Sequence, residues 1–298
     1  MLEKAYAKMN LSLNIVEKRL DGYHSIETII LPLDLHDSIE IDLVKNRKDD
    51  DFIVCDDYNV GISKYNLCHK AINVARQHWG FKDHFDVSIH KNIFLQSGLG
   101  GGSADAAAVL RCVVKLLNIK SNKAEMIEVA KLVGADVPFM LFNKPSLVCG
   151  VGETLTPIKL HDIFREYFIL LVKPIEGLST TEVYTEFDKV EQKHFDIGEI
   201  QKALANGNEE ILPSLIGNSL ETSAFELLPK LKDLKKDLVS RGFELVFMTG
   251  GGSCMVAMTK NKKLAKKTLK EYYLDHSYDA EITNILKPKK RNKHASVR

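Results

Sequence analysis

The chain has 298 residues, of which 45% are hydrophobic and 27% charged, and these values are typical of a globular protein, not of a disordered or fibrous one. Its 41 basic and 40 acidic residues give a net charge of +1, so no overall field indicates a nucleic acid or a membrane as partner. The chain is longer than most domains that have a single hydrophobic core, and we expect two lobes or one large α+β unit.

The five cysteines are widely spaced and include no C-x-x-C pair, which argues against a disulfide framework or a zinc knuckle. No apolar run reaches the length of a membrane-spanning helix, and no apolar signal segment stands near the first residues. We therefore expect a protein of the reducing cytoplasm.

The first elements are predicted to form antiparallel sheet. Residues 5–15 alternate polar and apolar side chains from Lys8 onward, which predicts a half-buried strand. Its other face, which either contacts solvent or lines a site, carries Lys8, Asn10, Ser12 and Asn14. After a turn at Asp21-Gly22, we expect two separate strands at 26–33 and 38–44, then a charged loop at 45–51.

Helices and strands then alternate. Apolar spacing predicts helices at 64–79, 103–117 and 122–133, the last with Asn122 as N-cap and Gly134 at its end. In the second half, helices are predicted at 179–187, 195–204, 209–216, 221–240 and 261–273. Strands are predicted at 84–90, 167–173, 243–248, 254–258 and 280–286. We expect domains at 1–160 and 161–286, followed by a solvated basic tail at 287–298.

A glycine-rich segment at 95–103 lies between the strand at 84–90 and an alanine-rich helix. Glycine lets backbone N–H groups converge on a ligand, and a helix N-terminus adds unpaired N–H groups and a positive dipole. The segment is therefore either a phosphate cradle or an ordinary glycine-rich turn. No lysine follows these glycines, and Ser103 takes the sixth position from Gly98, so neither the P-loop nor the dinucleotide fingerprint fits.

Three further features could complete a phosphoryl-transfer site. They are Lys8 with Asn10 on the first strand, Asp136 after Gly134, and His24 after the Asp21-Gly22 turn. Taken singly, Asp136 could be only an N-cap and His24 only a surface turn residue. Together they supply a lysine to neutralise a moving phosphoryl group and a carboxylate to orient or deprotonate an acceptor hydroxyl.

The order of these motifs resembles that of the GHMP kinases over nearly the whole chain, up to about the basic tail. The motifs are Ala7-Lys8-Met9-Asn10-Leu11, Asp21-Gly22-Tyr23-His24, Ser97-Gly98-Leu99-Gly100-Gly101-Gly102-Ser103, Gly134-Ala135-Asp136-Val137-Pro138-Phe139 and Gly150-Val151-Gly152-Glu153. Asp21-Gly22-Tyr23-His24 is similar to the marker of the branch whose acceptor carries a diphosphocytidyl group.

The resemblance implies a two-lobed α+β GHMP kinase fold, with a ribosomal protein S5 domain 2-like N-terminal lobe and a ferredoxin-like C-terminal lobe. It implies ATP-dependent phosphorylation of the 2-hydroxyl of 4-diphosphocytidyl-2-C-methyl-D-erythritol in non-mevalonate isoprenoid precursor biosynthesis. ATP and Mg²⁺ would be the cofactors, without dedicated metal-ligating residues in the chain. The partner would be this small molecule, with no nucleic acid or membrane, and the protein would be a monomer or weak homodimer.

Site residues follow from the resemblance position by position. Asp136 matches the catalytic aspartate of the family and Lys8 the lysine beside it. The ATP-binding matches are Asn66, Leu67, Leu95, Gln96, Ser97, Gly98, Leu99, Gly100, Gly101, Gly102 and Ser103. The acceptor-binding matches are Asn10, Tyr23, His24, Thr180, Tyr184 and Gly251. Among the latter, Tyr23 and Tyr184 would stack on cytosine and His24 would hydrogen-bond it.

The chain departs from the family pattern at four positions, which bear on nucleotide affinity and acceptor positioning. Tyr6 and Phe94 stand where proline is usual, Ala104 replaces a hydroxyl residue, and Gly251 stands where serine or threonine is usual. Two alternatives are a mevalonate- or homoserine-type GHMP kinase, which has no reason to keep Asp21-Gly22-Tyr23-His24, and a non-catalytic nucleotide-binding regulator. Retention of both Lys8 and Asp136 argues against the regulator.

Overall fold

The computed structural model describes residues 1–45, 50–57, 66–190 and 192–288. The first half of the described chain forms a six-stranded sheet with helices packed on it. Its strands are β1 (Leu2–Lys18), β2 (His24–Val44), β3 (Phe52–Cys55), β4 (His84–His90), β5 (Ser146–Gly150) and β6 (Thr154–Pro157). Its helices are α1 (Leu67–Trp79), α2 (Gly101–Leu116), α3 (Lys123–Val133) and α4 (Val137–Phe142).

The long strand β2 organises this sheet. The strand order is β3-β4-β2-β5-β6, and β1 pairs with β2 off that path. Only β3 and β4 run parallel in this described sheet. The expected break between strands at 26–33 and 38–44 is wrong, because β2 continues through residues 34–37, where His36 and Asp37 pair with Tyr6 and Ala5 of β1. The strand also contains Pro32, which lies where β1 is bulged.

The second half of the described chain forms an antiparallel sheet in the order β10-β7-β9-β8. Its strands are β7 (Phe168–Pro174), β8 (Leu245–Met248), β9 (Met255–Thr259) and β10 (Tyr278–Thr283). Its helices are α5 (Thr180–Phe187), α6 (Ile197–Asn206), α7 (Leu212–Leu215), α8 (Glu221–Leu227), α9 (Lys230–Ser240) and α10 (Lys262–Leu274), and a 3₁₀ helix spans Asp162–Glu166.

Strand β1 contributes to the cores of both halves. One buried apolar cluster contains Met9 of β1, the alanines of α2 and residues such as Ile169 of β7 and Val256 of β9. The other packs the second sheet against α5, α8 and α9, and includes Leu13 and Ile15 of β1. Covered on both faces, β1 cannot present its polar residues to solvent: Lys8, Asn10, Ser12 and Asn14 are all buried. The solvent-facing alternative for them is wrong.

Several predicted boundaries need correction. The helix expected at 103–117 starts at Gly101, and the one expected at 221–240 is two helices because Pro229 interrupts it. The helix at 209–216 shrinks to Leu212–Leu215, and α4, β3, β5 and β6 were not predicted. The helix with Asn122 as N-cap is confirmed, its side chain accepting from the Glu125 N–H at 3.1 Å.

Parts of three expectations lie outside the described residues: the loop at 45–51, the start of the helix at 64–79, and most of the basic tail. Within the described ranges, none of the helices combines the length and apolar character that crossing a membrane requires.

Candidate active site

Lys8 enters the site through a bulge in β1. The pairing of β1 with β2 shifts between Tyr6 and Lys8, and the residue opposite Lys8 is Pro32. At this shift, the Lys8 backbone N–H donates to the carbonyl of Leu99 in the glycine segment at 3.0 Å. The side chain is only 5% exposed, and its Nζ lies 2.6 Å from Asn10 Oδ1 and 3.6 Å from Asp136 Oδ2. The bulge thus aims a buried ammonium at Asp136.

Asn10 is held with its amide oxygen toward Lys8. Its Nδ2 donates to Thr28 Oγ1 at 2.9 Å, and the Thr28 hydroxyl donates to the Ser12 carbonyl at 2.6 Å. Its backbone N–H donates to Thr249 Oγ1 at 2.9 Å. Because the backbone N–H and the Nδ2 of Asn10 both donate to threonine hydroxyls, the side chain is fixed with its Oδ1 toward Lys8, where it accepts from the ammonium.

Asp136 stands at the N-cap position of α4, but its side chain makes no capping hydrogen bond. The N-cap interpretation is therefore right for the backbone and wrong for the carboxylate, which is 38% exposed and pairs with Lys8. Burial raises the pKa of Tyr184 to about 12, and the negative charge of Asp136 adds to this rise. The phenol of Tyr184 thus lies within the electrostatic reach of Asp136.

The glycine segment leads into α2, whose N-cap is Gly100 with no side-chain cap, so the first N–H groups of the helix remain for a ligand. It is joined to the second glycine turn at 249–253. The Ser253 N–H donates to the Gln96 carbonyl at 3.2 Å, and a Cβ on Gly98 would lie 2.1 Å from the Thr249 carbonyl oxygen. Gly98 also has a φ of 75°, so this close approach of two loops requires glycine.

These elements enclose a cleft of about 500 Å³. The residues singled out from the sequence that line it are Lys8, Asn10, Leu67, Leu95, Gln96, Ser97, Gly98, Gly100, Gly101, Gly102, Ser103, Asp136, Thr180, Tyr184 and Gly251. Two others do not. The Asn66 side chain caps α1 by accepting from the Cys68 N–H at 2.8 Å, and the Leu99 side chain is buried in the core.

Tyr23 and His24 line a second cavity of about 490 Å³. The two cavities share five lining residues, namely Ile26, Ala135, Val151, Thr180 and Tyr184. Tyr23 is 68% exposed, whereas the His24 ring packs on Tyr184 with a centroid separation of 5.1 Å. The two cavities are therefore neighbours that share one wall. The first contains the Lys8–Asp136 pair and the second contains the exposed Tyr23 ring.

A buried charge cluster supports the start of α2 from behind. Lys91 Nζ donates to Asp105 Oδ2 at 2.8 Å and contacts Asp37, whose other oxygen accepts from the Asn92 and Ile93 N–H groups. Burial raises the pKa of Asp105 to about 7, and the charge of Asp37 adds to the rise while Lys91 opposes it. Asp105 Oδ1 has no hydrogen-bond partner among the described residues.

Two residues of the site were missed from the sequence. Asn218 donates through Nδ2 to the carbonyls of Met248 at 2.9 Å and Gly250 at 2.7 Å, which fixes the second glycine turn. Asp188, after α5, lies 2.9 Å from His24 Nε2. Neither could have been found from local pattern, because each acts on a residue far away in the chain.

The donors present fit a magnesium ion held mainly by substrate. In the described part of the chain, no three His, Cys, Asp or Glu side chains come together as a metal site. The side chains with oxygen atoms that line the cleft include the Asp136 carboxylate and the Ser103 hydroxyl, beside Asn10, Gln96, Ser97 and Thr180. Mg²⁺ commonly keeps several waters and binds one or two protein oxygens together with nucleotide phosphates.

Comparisons with known proteins agree with this geometry. The family description "GHMP kinases N terminal domain" matches residues 66–144, and "GHMP kinases C terminal" matches residues 193–273. A 4-diphosphocytidyl-2-C-methyl-D-erythritol kinase of Clostridium tetani is 38% identical over 251 residues, which cover 84% of this chain and 87% of that protein. One from Thermoanaerobacter pseudethanolicus is 35% identical, with 91% and 92% covered.

A solved structure described as a 4-(cytidine 5'-diphospho)-2C-methyl-D-erythritol kinase superimposes with a TM-score of 0.76 at 27% identity, covering 95% of this chain and 99% of that one. The two sheets with their helices confirm the expected α+β fold, and the matched relatives confirm the expected kinase activity. The chain belongs to the GHMP kinases, and within them to the family of the 4-diphosphocytidyl-2-C-methyl-D-erythritol kinases.

Proposed function

We propose that this kinase transfers the γ-phosphoryl group of ATP to the 2-hydroxyl of 4-diphosphocytidyl-2-C-methyl-D-erythritol, in non-mevalonate isoprenoid precursor biosynthesis. The observation that carries the proposal is the wall shared by the Lys8–Asp136 cleft and the Tyr23–His24 cavity. An acceptor with a reactive hydroxyl at one end and a base at the other matches this arrangement. The names of the relatives point to the same substrate.

ATP would bind on the side of the glycine segment. The free N–H groups at the start of α2, from Gly101 to Ser103, suit the β- and γ-phosphates. Leu67 lines the cleft beside them and would contact adenine, while Asn66 would act through its cap of α1. When bound, Mg²⁺ would draw off negative charge from the nucleotide phosphates, and the Asp136 and Ser103 side chains would help to hold it.

The chemical step needs one proton acceptor and one fixed cation. Asp136 accepts the proton of the substrate hydroxyl, whose oxygen forms a bond to the γ-phosphorus while the bond from that phosphorus to the ADP oxygen breaks. The ammonium of Lys8, held by Asn10 at 2.6 Å, stabilises the charge on the moving phosphoryl group. Catalysis here is positioning and electrostatics, as is general for phosphoryl transfer.

The base end of the acceptor would lie in the second cavity. Tyr23 and Tyr184 offer aromatic faces for stacking on cytosine, and His24 offers the hydrogen bond. Asn10, Thr180 and Gly251 line the cleft on the acceptor side. Small-molecule phosphorylation needs no nucleic acid or membrane partner.

An ADP-release assay tests this proposal directly. The purified full-length chain is given ATP, Mg²⁺ and one acceptor at a time: 4-diphosphocytidyl-2-C-methyl-D-erythritol, mevalonate or homoserine. We expect ADP only with the first, together with a new phosphate monoester signal in the ³¹P NMR spectrum. ADP release with mevalonate or homoserine instead would refute the acceptor assignment, and ATP binding without any turnover would favour the regulator.

Three further properties of the protein, apart from its reaction, are predictions. They are a division into an ATP-binding domain at 1–160, a second domain at 161–286 and a basic tail at 287–298; a cytoplasmic location; and a monomeric or weakly dimeric state. The cysteines of the described chain are all unpaired, which supports a reducing compartment. Size-exclusion chromatography with light scattering measures the oligomeric state.

A further inference from the structure

Three charged or titratable side chains meet at the edge of the second cavity. Lys18 and His24 face each other as the last pair of the β1–β2 ladder, and Asp188 follows the end of α5. His24 Nε2 lies 2.9 Å from Asp188 Oδ1, and Lys18 Nζ lies 2.5 Å from Asp188 Oδ2. The His24 side chain is 7% exposed, so its ring is fixed by packing as well as by this hydrogen bond.

The carboxylate determines which ring nitrogen carries the proton. Hydrogen bonds from Lys18 and then His24 lower the pKa of Asp188, so it is ionised near neutral pH and can only accept. Nε2 of His24 must therefore carry the hydrogen, and in the neutral imidazole Nδ1 is then an acceptor. Among the described residues, the hydrogen bond of the His24 ring is the one from Nε2 to Asp188, so Nδ1 remains for a ligand.

On the basis of the proposed function, we propose that Asp188 is a positioning residue that makes the site prefer cytosine over uracil. It does so by holding His24 in the tautomer whose Nδ1 accepts a hydrogen bond. Cytosine presents an amino donor at position 4, whereas uracil presents a carbonyl acceptor there. With uracil, His24 Nδ1 would face a second acceptor, and no hydrogen bond could form. The free-energy cost of leaving these two polar atoms unpaired exceeds that of the lost hydrogen bond itself. Lys18 balances the charge of Asp188.

A purely structural role would give a different result. The Lys18–Asp188 pair also ties the β1–β2 hairpin to α5, and loosening that tie would weaken binding of both nucleotides alike. The specificity role instead changes the ratio of the two affinities. Glu186 is a matched control, because it lies two residues before Asp188 in the last turn of α5 and pairs with Lys189 at 2.8 Å instead of with His24.

The experiment measures CDP and UDP affinity by calorimetry for the wild-type chain, Asp188→Ala, Asp188→Asn and Glu186→Gln. We expect the wild type to prefer CDP by at least about tenfold. Both Asp188 variants should lower that preference by about tenfold, mainly through weaker CDP binding. Alanine cannot fix the tautomer of His24, and the amide of asparagine can pair with either tautomer. Glu186→Gln should keep the wild-type ratio.

Two further readouts separate the roles. In ¹⁵N NMR, the His24 signal, assigned by its loss in His24→Gln, should show the Nε2–H form in the wild type and a shift away from it in Asp188→Ala. In turnover, the KM for the cytidine acceptor should rise about tenfold in the Asp188 variants, with kcat within about twofold.

The outcomes distinguish this inference from the function on which it rests. Equal loss of CDP and UDP affinity, or an unchanged ratio and tautomer in Asp188→Ala, would overturn the role of Asp188 and leave the kinase assignment intact. A wild-type chain without a preference for CDP would overturn the base pocket itself, and this inference with it. Asp188→Asn, which nearly preserves shape, keeps the test valid if Asp188→Ala does not fold.

Discussion

Lys8 Nζ and Asp136 Oδ2 are 3.6 Å apart, too far for a direct hydrogen bond but close enough for a strong charge interaction. The short bond of the lysine goes to Asn10 Oδ1 instead, at 2.6 Å. The carboxylate of Asp136 is thus held near the ammonium by charge while its lone pairs stay available. A carboxylate that accepts a proton from a substrate hydroxyl needs that freedom.

Asp136→Asn should lower kcat by about 10²–10⁴-fold while the KM for ATP changes by less than about threefold, because an amide cannot accept the proton. Initial rates of ADP release measure both constants. Asp162→Asn removes an exposed carboxylate that does not line the cleft and should leave them unchanged. Near-full turnover of the Asp136 variant would show that the carboxylate is not the proton acceptor.

Gly98→Ala should weaken ATP binding by more than about tenfold, because its Cβ would meet the Thr249 carbonyl oxygen and push the two glycine loops apart. Fluorescence titration with an ATP analogue measures the affinity. Gly80 is the matched control: its φ is 71°, but a Cβ there has open space. Gly80→Ala should cost only the backbone strain of about 1–2 kcal/mol and keep ATP affinity. Equal effects of both substitutions would refute the loop-contact explanation.

Tyr23→Ala should raise the KM for the cytidine acceptor by about tenfold or more, since stacking of a base on an aromatic ring contributes about 1–3 kcal/mol. Steady-state kinetics with varied acceptor provide the measurement, and kcat should persist because Tyr23 lies outside the Lys8–Asp136 cleft. Tyr273, also largely exposed but on α10, is the comparison residue. If Tyr23→Ala behaves like Tyr273→Ala, Tyr23 does not stack on the base.

Asp105→Asn should change how stability depends on pH. The folded-state pKa of Asp105, raised to about 7, lies above its ordinary value of 3.8, so the folded chain binds a proton that the unfolded chain releases. Its contribution is complete below about pH 4 and is lost as pH rises to about 7. The variant should therefore remove this loss and melt a few degrees higher than the wild type at pH 8, but not at pH 4. Melting curves across this range provide the measurement.

Lys91→Met is the opposite perturbation of the same cluster. It leaves the buried Asp37 and Asp105 carboxylates without their cation, which we expect to cost about 3–5 kcal/mol at pH 8. A wild-type melting temperature in Lys91→Met, or a steeper pH dependence in Asp105→Asn, would show that the charges of this cluster are not coupled as described.

Local sequence pattern was enough to predict most helices and strands and to identify Lys8 and Asp136, the two members of the charge pair. The capping arrangement at Asn122 and the run of alanines in α2 are short-range signals, and the structure bears out both helices. The motif around Lys8 and that around Asp136 are also local, so each can be recognised without knowledge of their proximity in the fold. Their meeting in one cleft needed only that the predicted segments pack together.

What local pattern could not supply was burial on both faces and contact over long range. Alternation in β1 is the same whether its polar side meets solvent or a second lobe, so the burial of Asn10 and Ser12 could not be deduced. The dependence of His24 on Asp188 and of the turn at 249–253 on Asn218 is a property of tertiary packing. The continuity of β2 across residues 34–37 likewise depends on long-range pairing, because His36 and Asp37 pair with Tyr6 and Ala5 of β1.

Because the two cavities share a wall, the proposed site would select a ligand by its length. A ligand anchored at His24 can reach the Asp136 carboxylate only by extending past Thr180 and Tyr184, which border both spaces. Cytidine alone would occupy the base end and leave the reactive end empty, and a free sugar alcohol would do the reverse. Selection by span would thus let free nucleotides or small polyols occupy one end of the site without being phosphorylated there.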